Sequence, residues 1–142
     1  MNLQPRFYPV SRLLLGVFVL SLASVYSYKV RAATDQPPIP GGVPMKSWHE
    51  NGRGGRYLLQ IIKGQAPKTG NSVTGTVTSD TNCDADAEGL NHCHNTIKLA
   101  NGREITVIDT HEMHRNRCLG GGDQLSLTRI NGSWIMGTLP GK

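Results

Sequence analysis

The chain has 142 residues, of which 37% are hydrophobic and only 6% aromatic, and its formal net charge is +5 at pH 7. Four of the 15 basic residues and none of the 10 acidic residues precede residue 34, so 11 basic residues face 10 acidic ones in the remainder. This nearly neutral remainder argues against a nucleic-acid binder, which keeps its basic surplus in the folded domain.

Residues 1–33 have the pattern of an export signal. A basic start is followed by an uncharged apolar run at 13–28 and by a small-residue cleavage site ending near Ala33. The run has 16 residues, short of the roughly 20 that cross a bilayer. Lys29 and Arg31 oppose translocation of the chain beyond them, so the alternative is an uncleaved N-terminal anchor. We expect an exported protein, periplasmic or extracellular, that associates with a membrane only if this segment stays uncleaved.

Residues 34–56 are rich in proline and glycine and predict an extended linker. Within it, Trp48 and His49 are expected on the surface, since single exposed apolar residues are normal. The remaining residues, 57–142, are enough for one small domain.

The domain is predicted to consist of short strands separated by glycine turns, without a convincing long helix. The first two strands are expected at 57–62, a buried apolar run, and at 72–78, which alternates with Val73, Gly75 and Val77 on one face.

A hairpin is expected next, at 96–109. A three-residue loop with Gly102 in the left-handed conformation pairs Ile97 with Ile105 and keeps the apolar side chains on one face, whereas a two-residue turn would not. We therefore predict the three-residue loop.

A second hairpin is expected around Asn131-Gly132. A two-residue turn would set Leu127 opposite Met136 and would bury Trp134 and Met136 with the leucines of the preceding strand. In total at least five strands are predicted. This indicates an all-β protein, a small antiparallel barrel or sandwich. Over residues 72–139 the order resembles an OB-type or SH3-like barrel, on pattern alone.

Cysteines and histidines are concentrated between residues 83 and 118, which hold all three cysteines and four of the five histidines. In the predicted hairpin register residue 95 lies opposite residue 107, so the flanks of the hairpin leave the same end and bring these groups together. Imidazole suits zinc and copper, and thiolate selects softer ions. The candidate ligands are six residues: His92, Cys93, His94, His111, His114 and Cys118. The predicted ion is copper or zinc.

The cysteines also allow one disulfide, which an exported small domain favours. The pairs Cys83–Cys93, Cys83–Cys118 and Cys93–Cys118 all remain open, and one thiol is left over.

An acidic stretch, Asp84-x-Asp86-x-Glu88-Gly89, matches the start of a calcium loop. Its twelfth position is Asn95, where a bidentate Glu is required, and no helices are expected around it. The sequence therefore disfavours calcium.

The sequence predicts a binding protein rather than an enzyme. No complete set of nucleophile, base and orienting group is recognisable, and no Cys-x-x-Cys redox motif is present. The first hypothesis is an exported, disulfide-stabilised barrel that binds a metal ion or a protein partner through its Cys/His end. The alternative is an accessory or interaction subunit of a cell-envelope complex, in which the cysteines and histidines are purely structural. A third hypothesis, oligonucleotide or sugar binding on an OB-type face, is opposed in its nucleic-acid form by the charge.

Overall fold

The computed structural model describes residues 36–141. The predicted export signal, residues 1–33, lies outside the described residues. Within the described part, no helix is long and apolar enough to cross a membrane.

Six antiparallel strands form a closed barrel. They are β1 (Arg56–Lys63), β2 (Ser72–Thr81), β3 (Asn91–Leu99), β4 (Glu104–His111), β5 (Gln124–Asn131) and β6 (Trp134–Thr138). Their order around the barrel is β1-β4-β3-β2-β5-β6, and β6 pairs with β1 to close it. The only helical turns in residues 36–141 are two short 3-10 turns, Trp48–Glu50 and Arg53–Gly55. The predicted all-β barrel is confirmed, with six strands.

The hairpin joining β3 and β4 has the predicted register. Ile97 pairs with Ile105, and residue 95 pairs with residue 107. Gly102 has a φ of 83°, the left-handed conformation that glycine adopts without steric cost. This register directs the apolar side chains of both strands into the barrel interior, where they join one core with the inward residues of β1, β2, β5 and β6.

The hairpin joining β5 and β6 differs from the prediction. The register shifts between Arg129 and Asn131, so that Leu127 pairs with Gly137 and Arg129 pairs with Ile135. A bulge therefore rotates β6 by one residue, and Ile135 enters the core instead of Trp134 and Met136.

Trp134 and Met136 instead belong to a second apolar cluster on the outer face of the barrel. There they pack with Trp48, Leu58 and Leu90. Trp48 is only 5% exposed, and its Nε1 donates to the carbonyl of Pro37 at 3.0 Å. The expectation of a surface Trp48 is wrong, because residues preceding β1 fold back over the barrel and cover it.

Candidate metal centre

Side chains alternate along β3, which places its cysteine and its two histidines on opposite faces of the strand. Cys93 points into the barrel and is fully buried, whereas its neighbours His92 and His94 are partly exposed on the other face. The ring of His92 is held there by two contacts, Nδ1 to Thr110 Oγ1 at 3.1 Å and Nε2 to Asp86 Oδ2 at 2.9 Å.

The end of β4 brings His111 to the same interior as Cys93. In the β3–β4 ladder Cys93 pairs with Asp109 and Asn91 pairs with His111. Residues two apart on a strand share a face, so Cys93, Asp109 and His111 all face inward. All three side chains are fully buried.

Cys118 reaches this interior from the connection between β4 and β5. The preceding carbonyl, of Arg117, accepts a hydrogen bond from the hydroxyl of Tyr57 at 2.8 Å. The following residue, Leu119, is fully buried in the core. Arg117 also forms two hydrogen bonds of 2.9 Å with Asp123. Cys118 is therefore held from both sides.

These three segments bring together a group that could hold a metal ion. One ligand atom each from Cys93, His111 and Cys118 lies within 4.8 Å of the other two. A second group, sharing Cys93, consists of Asp80, Cys83 and Cys93 within the same limit. The two groups meet at Cys93, and Asp80 and Cys83 of the second group are only half-buried.

One disulfide links Cys83 to Cys93, and Cys118 is free. Of the three pairs that the sequence allowed, the structure selects the one that ties the loop after β2 to β3. Disulfides of this kind stabilise small domains by about 2–4 kcal/mol. A disulfide sulfur is not a thiolate, so Cys93 can ligate an ion strongly only in the reduced protein.

His111 and Asp109 form a fully buried pair of titratable side chains. Nδ1 of His111 lies 3.1 Å from Oδ2 of Asp109. Burial lowers the pKa of His111, but the carboxylate of Asp109 at this distance outweighs burial, and the net pKa is raised. Burial raises the pKa of Asp109, and the opposing effect of His111 only reduces that rise. Oδ1 of Asp109 accepts from Nδ2 of Asn51 at 3.2 Å, which fixes the carboxylate.

Four buried side-chain nitrogen and oxygen atoms among residues 36–141 have no hydrogen-bond partner: both ring nitrogens of His111, Oδ2 of Asp109 and Oδ1 of Asn95. The 3.1 Å contact of His111 with Asp109 is close but not aligned as a hydrogen bond. Buried polar atoms are nearly always paired, and an unpaired one costs about 1–3 kcal/mol. A cation bound beside the two cysteines would give the unpaired ring of His111 a partner.

The surroundings of Cys118 favour its thiol form over the thiolate. Burial raises the pKa of Cys118, and the carboxylates of Asp80 and Asp109 raise it further, while Arg117 opposes them. Binding of a metal ion would displace this proton.

The structure brings together three of the six ligands expected from the sequence. His92 and His94 lie on the other face of β3, and His114 is exposed in the turn after β4. Asp80 and Asp109, which the ligand set omitted, border the group. A register shift between Val77 and Ser79 turns Asp80 inward opposite Asn95, which simple alternation from Val77 does not reveal.

The acidic loop is organised around Asp86. Its Oδ1 accepts from the backbone N–H groups of Glu88 and Leu90 at 2.8 and 2.9 Å. Its Oδ2 contacts His92 and accepts from Gln36. Asp86 thus uses both oxygens to fix the loop itself.

The fold and the site define a small closed β-barrel with one disulfide and an interior Cys/His group that could hold a metal ion. No family model, curated protein or solved structure matches the chain.

Proposed function

We propose that this protein is an exported, non-enzymatic β-barrel that binds one zinc or cuprous copper ion through Cys93, His111 and Cys118 in its reduced state. The observation that carries the proposal is the convergence of three donor atoms within 4.8 Å of one another. Thiolate and imidazole are the ligands that zinc and copper take in proteins.

The unpaired ring of His111 supports the same function. Imidazoles that ligate a metal commonly have a carboxylate beside the ring, which orients them. Asp109 occupies this position, and Asn51 fixes Asp109 in turn. The carboxylates of Asp109, which is fully buried, and of Asp80, which is half-buried, favour a cation beside Cys93.

The disulfide and the ion compete for Cys93. Opening the Cys83–Cys93 bridge frees the thiol of Cys93 beside His111 and Cys118. The resulting two thiols and one imidazole supply three of the four ligands of a tetrahedral zinc site. In the oxidised protein only His111 and Cys118 of the ligand group remain, and the proposal predicts much weaker binding.

The export assignment rests on the pattern of residues 1–33. An exported protein meets an oxidising environment. Metal binding is then confined to protein that is newly made or has been reduced.

The test is a titration of the chain, purified without a histidine tag, with Zn²⁺, Cu⁺ and the spectroscopic substitute Co²⁺. We expect the reduced protein to bind about one equivalent and Co²⁺ to show thiolate charge-transfer absorption. Cys118→Ser should weaken Co²⁺ binding and reduce that absorption, while His114→Ala, which alters an exposed histidine outside the group, should leave both unchanged.

The second candidate is an accessory subunit of an envelope complex with structural cysteines. It is favoured by the observation that Cys93 is already bridged to Cys83. If the reduced protein binds none of the three ions, or if Cys118→Ser binds them like the wild type, the metal function is wrong and the structural role stands.

A further inference from the structure

The three sulfur atoms lie side by side, with Cys93 in the middle. Its Sγ is bonded to Sγ of Cys83 and lies within 4.8 Å of Sγ of Cys118. Cys118 carries a free thiol. A disulfide is exchanged when a thiolate attacks one of its sulfurs and the other sulfur leaves. The structure therefore places an attacking group next to a disulfide.

We propose that the bridge moves within the molecule from Cys83–Cys93 to Cys93–Cys118. Cys118, which is partly exposed, gives its proton to solvent, and the thiolate attacks Sγ of Cys93, so that the Cys93–Cys118 bond forms and the Cys83–Cys93 bond breaks. Cys83 leaves as a thiolate and takes up a proton from solvent. One disulfide and one thiol are present before and after the step, so no oxidant or reductant is consumed. This inference needs no metal ion and is independent of the proposed function.

The position of Cys118 is fixed by the fold. Tyr57 holds the carbonyl of Arg117, and Leu119 is anchored in the core. Cys118 lies between these two anchors, so its closeness to Cys93 does not depend on a chance loop conformation.

The released Cys83 thiol would have a hydrogen-bond acceptor in place. Sγ of Cys83 lies 3.1 Å from Oδ1 of Asp80. A disulfide sulfur has no proton to donate, so this contact is not a hydrogen bond while the bridge is present. After the exchange the S–H group can donate to Asp80, which stabilises the product.

The segment before Cys83 would also be released. Asn82 has a φ of 55°, in the left-handed region that asparagine adopts more readily than other non-glycine residues. Cys83 is half-buried, whereas Cys93 is fully buried. The exchange thus moves the free thiol from Cys118, beside the interior His111, to the loop after β2.

The exchange can be measured by trapping the free thiol. The oxidised full chain is incubated at neutral pH with EDTA, quenched in acid and alkylated under denaturing conditions. Trypsin combined with cleavage after Glu88 separates the three cysteines into different peptides, so mass spectrometry identifies the alkylated one. We expect alkylation of Cys118 and of Cys83, each with the complementary bridge.

The matched control is Cys118→Ser, which lacks the attacking thiol and should lose the Cys83 alkylation. Equal alkylation of Cys83 in the wild type and in this variant would overturn the proposal. As a second measurement, Cys83→Ser oxidised with glutathione disulfide should form the Cys93–Cys118 bridge. Two free thiols in that folded variant would also overturn it.

Discussion

The indole of Trp48 lies over the indole of Trp134, with ring centroids 5.7 Å apart and planes inclined by 30°. This contact joins the segment before β1 to the outer face of β6. It gives the barrel a second apolar layer outside its main core.

Removal of this contact should destabilise the protein. Trp48→Ala deletes a buried aromatic side chain and its hydrogen bond to Pro37, and we expect a loss of about 3 kcal/mol in the free energy of unfolding. Denaturation by urea measures the loss. Met113→Ala, at an exposed site, is the control and should change stability by less than about 0.5 kcal/mol. Equal effects of the two substitutions would show that the segment does not stabilise the barrel.

Gly75 lies where β2 approaches the core too closely for a side chain. A Cβ atom there would lie 2.6 Å from Cγ2 of Ile97 and 2.8 Å from Cδ1 of Leu127. We expect Gly75→Ala to destabilise the protein by about 1–3 kcal/mol through overpacking. Gly121→Ala is the matched control, because its nearest neighbour, the carbonyl of Thr78, would be 3.9 Å away. If both variants unfold at the same urea concentration, the packing at Gly75 is looser than described.

Protonation of Asp86 is expected to lower the free energy of unfolding at acid pH. Partial burial raises its pKa, but the hydrogen bonds from His92 and from the N–H groups of Leu90 and Glu88 outweigh this and lower the pKa from 3.8 to about 2. Because the folded pKa is lower than the unfolded one, the contribution is present above pH 3.8 and is lost as the pH falls towards 2.

Asp86→Asn should therefore reduce the difference in unfolding free energy between pH 5 and pH 2 by about 2 kcal/mol. Urea denaturation at the two pH values gives this difference. Asp84→Asn, at an exposed position of the same loop, should preserve the wild-type dependence on pH. An unchanged dependence in Asp86→Asn would contradict the prediction.

Asp109 is expected to tune metal affinity through His111. Asp109→Asn removes the carboxylate 3.1 Å from the ring, and loss of such an orienting partner typically weakens binding by about 10–100-fold. Competition between Co²⁺ and a chelator, in the reduced protein, measures the affinity. Asp84→Asn again serves as the control. A wild-type affinity in folded Asp109→Asn would mean that Asp109 does not position the ligand.

The hairpin from β3 to β4 was predictable because its apolar side chains fit one register only. Ile97 and Ile105 share a face with a three-residue loop and do not with a two-residue turn. The proximity of Cys93 to His111 is then a consequence of the ladder. In β6 both faces are apolar, with Ile135 on one and Trp134 and Met136 on the other, so the pattern could not reveal the bulge.

The outer face of β6 is apolar because of a partner distant in sequence. Trp134 and Met136 pack against Trp48, which precedes the barrel and looked like part of a linker. Asp80 was missed for a related reason, since a register shift changes the phase of β2 before it reaches the site. The local alternation of apolar and polar residues reveals neither the packing of Trp48 on β6 nor the register shift in β2.

The pairing of β1 with both β4 and β6 has a consequence for how the molecule is made. A chain synthesised from its N terminus has Arg56–Lys63 early but must wait for Trp134–Thr138 before the ring of hydrogen bonds can be completed. Structures dominated by such distant pairings form slowly, in milliseconds to seconds. Until then the unpaired edges of β1 and β5 can bind another strand. Chaperones that recognise extended segments would therefore bind the chain during this interval.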